Sequence, residues 1–449
     1  MNHVIVTDLG YGDAGKGSVV DWLCARPSTR PFRAVIRFNG GAQAAHNVIT
    51  PDDRHHAFAQ FGSGTFVPGV RTHLSRHVIV DPLALAAEAA HLNALGISDA
   101  FDRLTVDRDA LLATPYHQAA NRARERARGQ DRHGSCGMGV GEAASYALRY
   151  PGDAPRAGDC AAPRVLARKL GALRDRLADE LGPLDAPEPA AVRDAYRAFA
   201  ETVRLTDARY AIELLRSEPV VFEGAQGVLL DEWRGFHPYT TWSTTTFSNA
   251  AELLAEAGET ATRLGVIRCF MTRHGPGPFV TEDPTLEVPE PHNTGGCWQG
   301  PVRTGHFDAV ALRYAVEVAG GVDALALTHL DVAARRDLLL CDAYETGGRR
   351  VSRLTPGPFG DLGYQERLTR ALFRARPVYR PPDASWPEVV EHALGAPVIL
   401  LSYGAERQAK RPTIRAGRLS STSGRTPRGL SRSSAMARDR LIRRRQRPV

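Results

Sequence analysis

Residues 3–20 read HVIVTDLGYGDAGKGSVV. The β-branched run Val4–Val6 predicts a buried strand, and Ser18 to Cys24 reads as a helix. Between them lie Gly10, Gly12, Gly15 and Gly17, with Asp13 and Lys16 among them. Strand, glycine loop and helix are how a chain cradles phosphate. Glycines let backbone N–H groups approach the anion, the helix N-terminus favours negative charge, and a lysine adds a cation. Gly10-x4-Gly15-Lys16 matches most of the P-loop pattern, but Gly17 stands where Ser or Thr would ligand Mg²⁺. Asp13 is a hard oxygen ligand already in the loop that can replace that hydroxyl. A plain structural turn is the alternative reading of the loop taken alone.

Outward from this segment the chain alternates. A second strand, Ala34 to Phe38, enters the turn Asn39-Gly40-Gly41, and residues 74–82 carry a run suited to a buried strand. Pro82 to Leu95 has helical spacing, and Gln118 to Arg128 reads as a charged helix with a solvated face. A second glycine-rich loop, Gly134 to Gly141, follows; residues 163–217 look mainly helical, broken near Pro183 to Pro189. Pro219 to Phe222 reads as a strand entering Glu223-Gly224-Ala225-Gln226-Gly227, with further strands at 264–271, 322–328, 337–343 and 397–402. Strands alternating with helices predict an α/β fold with a mainly parallel sheet, and polar loops after strand ends are where ligands bind in such sheets.

The chain has 449 residues, enough for one large domain or several smaller ones, and no Pro/Gly linker divides the first 410. One domain over residues 1–414 and a tail over 415–449 is the expected organisation. The net charge of +7 belongs to that tail, whose eleven arginines and single acid, Asp439, carry +10 and leave −3 for the rest. Its Arg/Ser-rich composition is that of a disordered segment able to make weak, non-specific contact with polyanions. The six cysteines are scattered without a C-x-x-C pair, so neither a zinc site nor a disulfide framework is expected. With no apolar run near the roughly 18 residues a membrane span needs, and no leader-like N-terminus, a cytoplasmic location is expected.

Several segments in order now resemble the adenylosuccinate synthetase family over about 400 residues. They are Gly12-Asp13-Ala14-Gly15-Lys16-Gly17, Phe38-Asn39-Gly40-Gly41-Ala42-Gln43-Ala44-Ala45-His46, and Glu223 to Asp231. Thr272-Arg273 with Gly275 to Phe279, Arg303-Thr304-Gly305, Thr328-His329-Leu330-Asp331-Val332 and Ser402-Tyr403-Gly404 continue the series. The resemblance implies a large, mainly parallel central sheet flanked by helices, and a homodimer. It implies a ligase that spends GTP, with Mg²⁺, to phosphorylate O6 of IMP and then replaces that phosphate with the amine of L-aspartate. O6 of a lactam is a poor nucleophile until N1 loses its proton, which suits Asp13 as base. Lys16, His46 and Gln226 complete the implied catalytic set. GTP would fall to Gly12, Gly15, Lys16, Gly17, Arg303, His329, Asp331, Ser402 and Gly404. IMP would be held by Asp13, Gln43, His46, Ser135, Cys136, Gln226, Thr241 and Arg149, the metal by Asp13 and Ala45, and the amino donor by Thr294, Gly295 and Arg303.

The chain also departs from the family. Ser135-Cys136 precedes Gly137-Met138-Gly139 where the family has a Thr pair before Gly-Arg-Gly. The family's partner-subunit arginine aligns with Tyr150, one position from Arg149, while His274 replaces an apolar residue and His329 a lysine. The arginine-rich loop that grips aspartate is here Asn293 to Arg303, with only its last arginine kept. Two readings stay open: a purine-nucleotide ligase, either the housekeeping enzyme or a paralogue with another purine or amino donor, and a nucleotide-binding protein without turnover. Retention of Asp13 and His46 favours the ligase.

Overall fold

The computed structural model describes residues 3–129, 132–288 and 298–414. Its centre is a ten-stranded sheet built, in chain order, from β1 (His3–Asp8), β2 (Ala34–Arg37), β3 (Arg71–Leu74), β4 (Leu104–Asp107), β5 (Arg204–Thr206), β6 (Val220–Gly227), β7 (Ala261–Arg268), β8 (Ala324–Thr328), β9 (Val398–Ser402) and β10 (Lys410–Pro412). In space they run β10-β9-β8-β7-β1-β6-β2-β3-β4-β5. Every neighbouring pair is parallel except β9 with β10, so the expected mainly parallel α/β architecture holds.

β1 lies between β6 and β7 with all six residues buried, as a strand covered on both faces requires. Its alternate side chains feed two cores. Ile5 joins Phe38, Phe222 and Ile267 on one face; Val4 and Val6 join Val19, Val20, Val221 and Val266 on the other. A third apolar cluster packs the helices Pro163–Leu181 and Pro189–Thr202 against the β3–β5 side of the sheet.

Several expectations need correction. The run at 74–82 is not one strand: β3 ends at Leu74, a turn closed by Val78 N to Ser75 O (3.0 Å) follows, and Ile79–Val80 begins again elsewhere. β4 and the three-residue β5 were not anticipated, both being too short to show a period. The strand expected at 337–343 is Leu340–Thr346 and lies outside the central sheet, paired with Phe307–Asp308, Arg349–Val351 and Arg376–Arg380. The charged helix is Pro115–Ala127, and its one face buries Tyr116, His117, Ala120 and Glu125. Among the described residues five cysteines are free thiols, and no helix is long and apolar enough to cross a membrane.

Candidate active site

The site sits at the carboxyl ends of the central strands. β1 ends in Asp8, whose carboxylate accepts from Gly10 N (2.7 Å), Ala14 N (2.6 Å) and Lys16 Nζ (3.5 Å). Lys16 opens the helix α1 (Lys16–Ala25) and also donates to Gly12 O at 2.6 Å. Asp8 thus organises the loop, a role that sequence reading missed; its signal is a carboxylate at the last strand position before the glycines. The loop lies backbone to backbone on the end of β6: a Cβ on Gly227 would stand 2.2 Å from Gly10 O. Gly17 has its own reason. A Cβ there would lie 2.7 Å from Cβ of His46, so the position that carries Ser or Thr in a P-loop has no room for either.

Asp13 pairs through Oδ2 with His274 Nε2 at 3.1 Å, and its carbonyl accepts from Arg268 Nε at 2.5 Å. Burial alone would raise its pKa, but His274, Arg268 and Lys16 outweigh it and hold the carboxyl down to about 2. His46 Nδ1 lies 2.6 Å from Glu223 Oε1. Glu223 in turn accepts from Ser63 N (2.9 Å) and Ser63 Oγ (2.5 Å), and despite full burial the nearby Arg37, His46 and Ser63 lower it to about 2. For His46 burial wins over the attraction of Glu223 and lowers the ring to about 4. The site therefore holds an ionised Asp13 and a neutral His46 whose Nδ1–H donates to Glu223, leaving Nε2 for a ligand. Glu223, Ser63 and Arg37 were not anticipated in this role.

Gln226 follows with φ of 56, a left-handed backbone unusual for a side-chain-bearing residue and frequent at functional sites. The Oε1 atoms of Gln226 and Gln43 are buried without a hydrogen-bond partner among the described residues. Both lie by the Gly40-Gly41 turn, where a Cβ on Gly40 would come within 3.2 Å of the first and one on Gly41 within 3.0 Å of the second. Two orphaned acceptors beside one turn are what a ligand's donors would satisfy. Thr241 is half-buried, with its N–H on Leu230 O (2.8 Å), and Ala45 is exposed beside His46. Ser135 Oγ is hydrogen-bonded to the Asn121 amide (2.9 Å), and burial raises the Cys136 thiol pKa. Arg149 is half-exposed, 3.7 Å from Glu180.

Of the remaining expected residues, His329 and Asp331 follow β8, Ser402 ends β9 with Gly404 after it, and Arg303 lies on the separate strand Val302–Gly305. Thr328 Oγ1 donates to Ala14 O (2.8 Å) and lies 2.8 Å from His329 Nδ1, which joins this region to the phosphate loop. Burial first, then Arg268 and Lys410, push the His329 pKa well down. Asp331 is half-buried on the short helix Leu330–Ala333, and Ser402 Oγ donates to Gly404 O at 3.0 Å. Arg303 spends its guanidinium internally. It forms a double ion pair with Glu282 and donates to the carbonyls of Gly275 and Gly277, both at 3.0 Å. Arg273 likewise donates to Pro276 O, Pro278 O and Tyr239 O. Thr294 and Gly295 lie outside the described residues.

The family model for adenylosuccinate synthetase matches residues 5–375. An adenylosuccinate synthetase of Mycobacterium sp. strain KMS is 32% identical over 403 residues, 87% of this chain and 88% of that protein. One from Mycobacterium tuberculosis is 31% identical over 441 residues, covering 91% and 97%. Among solved structures, the fully ligated adenylosuccinate synthetase of Plasmodium falciparum superposes with a TM-score of 0.77 at 21% identity over 92% of this chain and all of that one. The cyanophage S-2L succinoaminodeoxyadenylate synthetase, bound to dGMP and dATP as an energy donor, gives 0.57 at 20% identity, covering 92% and 95%. These two share the fold. Carrying that fold and the family's sequence pattern along nearly its whole length, the chain belongs to the adenylosuccinate synthetase family, C–N ligases of purine nucleotide metabolism.

Proposed function

We propose that the protein uses GTP to phosphorylate O6 of IMP or a related 6-oxopurine nucleotide, and then joins an amino acid at C6. The observation that carries this reading is the placement of an ionised Asp13 and of Lys16 in the loop after β1, with His46 held by Glu223 of the neighbouring β6. An ionised Asp13 accepts the N1 proton, which makes O6 nucleophilic towards the γ-phosphorus; GDP leaves. Lys16 and the loop N–H groups stabilise charge on the transferring oxygens. A phosphoryl dianion against Nε2 raises the His46 pKa so that the ring takes up a proton and donates, with Glu223 balancing the cation. The amine then displaces the C6 phosphate, releasing inorganic phosphate and a proton. Gln43, Gln226 and Thr241, with Ser135 and Cys136, are the groups we assign to the monophosphate nucleotide. Arg149, half-exposed, is the arginine that a second copy in a homodimer would receive.

The donor set fits Mg²⁺. The ionised carboxylate of Asp13 and the backbone carbonyl of Ala45 would hold the ion, and since no cluster of three His, Cys, Asp or Glu able to hold a metal exists among the described residues, substrate phosphates and water would have to supply the other ligands. Bound there, the ion supplies charge neutralisation for phosphoryl transfer.

A second reading concerns the donor. The family reads L-aspartate with arginines, whereas Arg273 and Arg303 are here bound to loop carbonyls and Glu282, which favours a less acidic amine. Both readings are tested by incubating the protein with GTP, Mg²⁺, a panel of 6-oxopurine nucleotides and a panel of amino acids, and measuring GDP, phosphate and the purine spectrum. A 6-substituted purine nucleotide is expected. Tight binding of both nucleotides without product in any combination would mean a nucleotide-binding protein instead, and L-aspartate as the best donor would remove the second reading.

A further inference from the structure

β9 and β10 form an antiparallel edge with Ser402 opposite Lys410, and residues 403–409 arch between them. The Lys410 side chain turns back into this arch. It is 5% exposed, and Nζ donates to the carbonyls of Gly404, Ala405 and Glu406, each at 2.9 Å. An ammonium has three donors, so all are spent on one stretch of backbone. Three consecutive carbonyls turned inward on a cation would lose their donors and repel one another without it. The arch is anchored at two further points: Arg407 makes a bidentate pair with Asp21 of α1 (2.8 and 2.7 Å), and Glu406 bridges Ile49 on the strand that begins with His46.

We propose that Lys410 is a positioning residue for the purine base of the nucleoside triphosphate: by gathering the carbonyls of 404–406 it holds Ser402 and Gly404 in place to close on a base read by Asp331. This rests on the assignment of Asp331, Ser402 and Gly404 to that base. The neutral His329 leaves the positive charge of this corner to Lys410 and to Arg268 and Arg407, whose own bonds run to Asp13 O and Asp21. The groups facing Lys410 are Asp21 from α1, Glu406 from the arch and Asp331 from the helix Leu330–Ala333, with His329 and Arg407 beside them. Burial outweighs the attraction of these carboxylates and lowers the Lys410 pKa from 10.5 to about 8. The protonated form gathers the carbonyls, so the arch loosens as pH rises through about 8.

The test is steady-state kinetics of the full chain between pH 7 and 8.5. For the parent protein KM for GTP should rise about fourfold over that range, the factor a required proton of pKa about 8 implies, while KM for the purine monophosphate stays level. Lys410→Met should raise KM for GTP roughly tenfold at pH 7, the scale of a lost charged hydrogen-bond set, abolish its pH dependence, and change kcat at saturating GTP less than about twofold. Lys169→Met is the control: that buried lysine bonds Ala154 O and Asp159 in the helical layer, and its loss should lower Tm without touching KM for GTP. A pH-independent KM for GTP in the parent protein overturns the proposal even if the variant does not fold, as does an unchanged KM in a folded Lys410→Met. Absence of turnover in the parent protein would instead count against the ligase reading on which the proposal rests.

Discussion

At Asp13 and His46 desolvation meets two different neighbourhoods, with the Asp13 side chain 27% exposed and that of His46 6%. Asp13 is surrounded by cations and stays charged, whereas His46 faces a single carboxylate, too little to offset its desolvation. On the proposed roles, Asp13→Asn would remove the base and His46→Ala the phosphoryl stabiliser; each should lower kcat by at least about 10²-fold. Nucleotide affinity, measured by calorimetry, should fall much less for His46→Ala. Near-normal turnover in either variant would show that the roles lie elsewhere. Both residues were legible from their motifs. Their partners were less so: Glu223 is 177 positions from His46 and Ser63 is 160 from Glu223, distances over which no local pattern points from one residue to the other.

Between elements, the glycines distinguish where close approach is required. α1 packs so tightly on the strand beginning at His46 that Gly17→Ser, although it completes the P-loop pattern, must displace Cβ of His46. Overpacking of this kind costs about 1–3 kcal/mol, so this variant should show a lower Tm and reduced turnover despite its added hydroxyl. Gly171 is the opposite case. It lies inside the helix Pro163–Leu181 with nothing within 4 Å of an added Cβ, so Gly171→Ala should stabilise by about 0.5–1 kcal/mol in denaturant unfolding. The helix Pro115–Ala127 shows why the pattern of charges alone misleads: its surface looks solvated in sequence, yet Tyr116 and Ala120 complete the third core.

Over the whole molecule, buried histidines set the acid limit. Burial lowers His46 and His3 to about 4 and His73 and His117 to about 3, so the folded state keeps them neutral. In the unfolded chain they take up protons near pH 6.5. Between about pH 6.5 and 4 the unfolded state therefore binds more protons, and each such histidine removes up to about 1.4 kcal/mol of stability per pH unit on acidification. Asp13 and Glu223, both depressed to about 2, extend the loss below pH 4. Calorimetric Tm should be level from pH 8 to 7 and fall steeply towards pH 5; a level Tm down to pH 5 would mean that these rings are protonated in the fold. A second expectation concerns chain length. The sheet is already closed by β10 at Lys410–Pro412, so deleting residues 415–449, with their charge of +10, should leave Tm and kcat intact and remove salt-sensitive retention on RNA. Loss of folding on that deletion would place the domain boundary further along.

The sequence by itself determined the strand–loop–helix at residues 3–24 and the α/β class, which rest on local periodicity and on residue types required by phosphate chemistry, while the order of the motifs from Asp13 to Gly404 was legible through the family resemblance. Only the tertiary structure decided that β10 turns antiparallel at the sheet edge, that Gly17 must be bare, that Arg303 is committed to Glu282, and that Lys410 gathers its own loop. Those outcomes depend on which distant groups burial forces together. Asp21 and Arg407 stand 386 residues apart, and the energy of such a pair is set by the solvent excluded around it, a quantity that spacing along a chain does not contain.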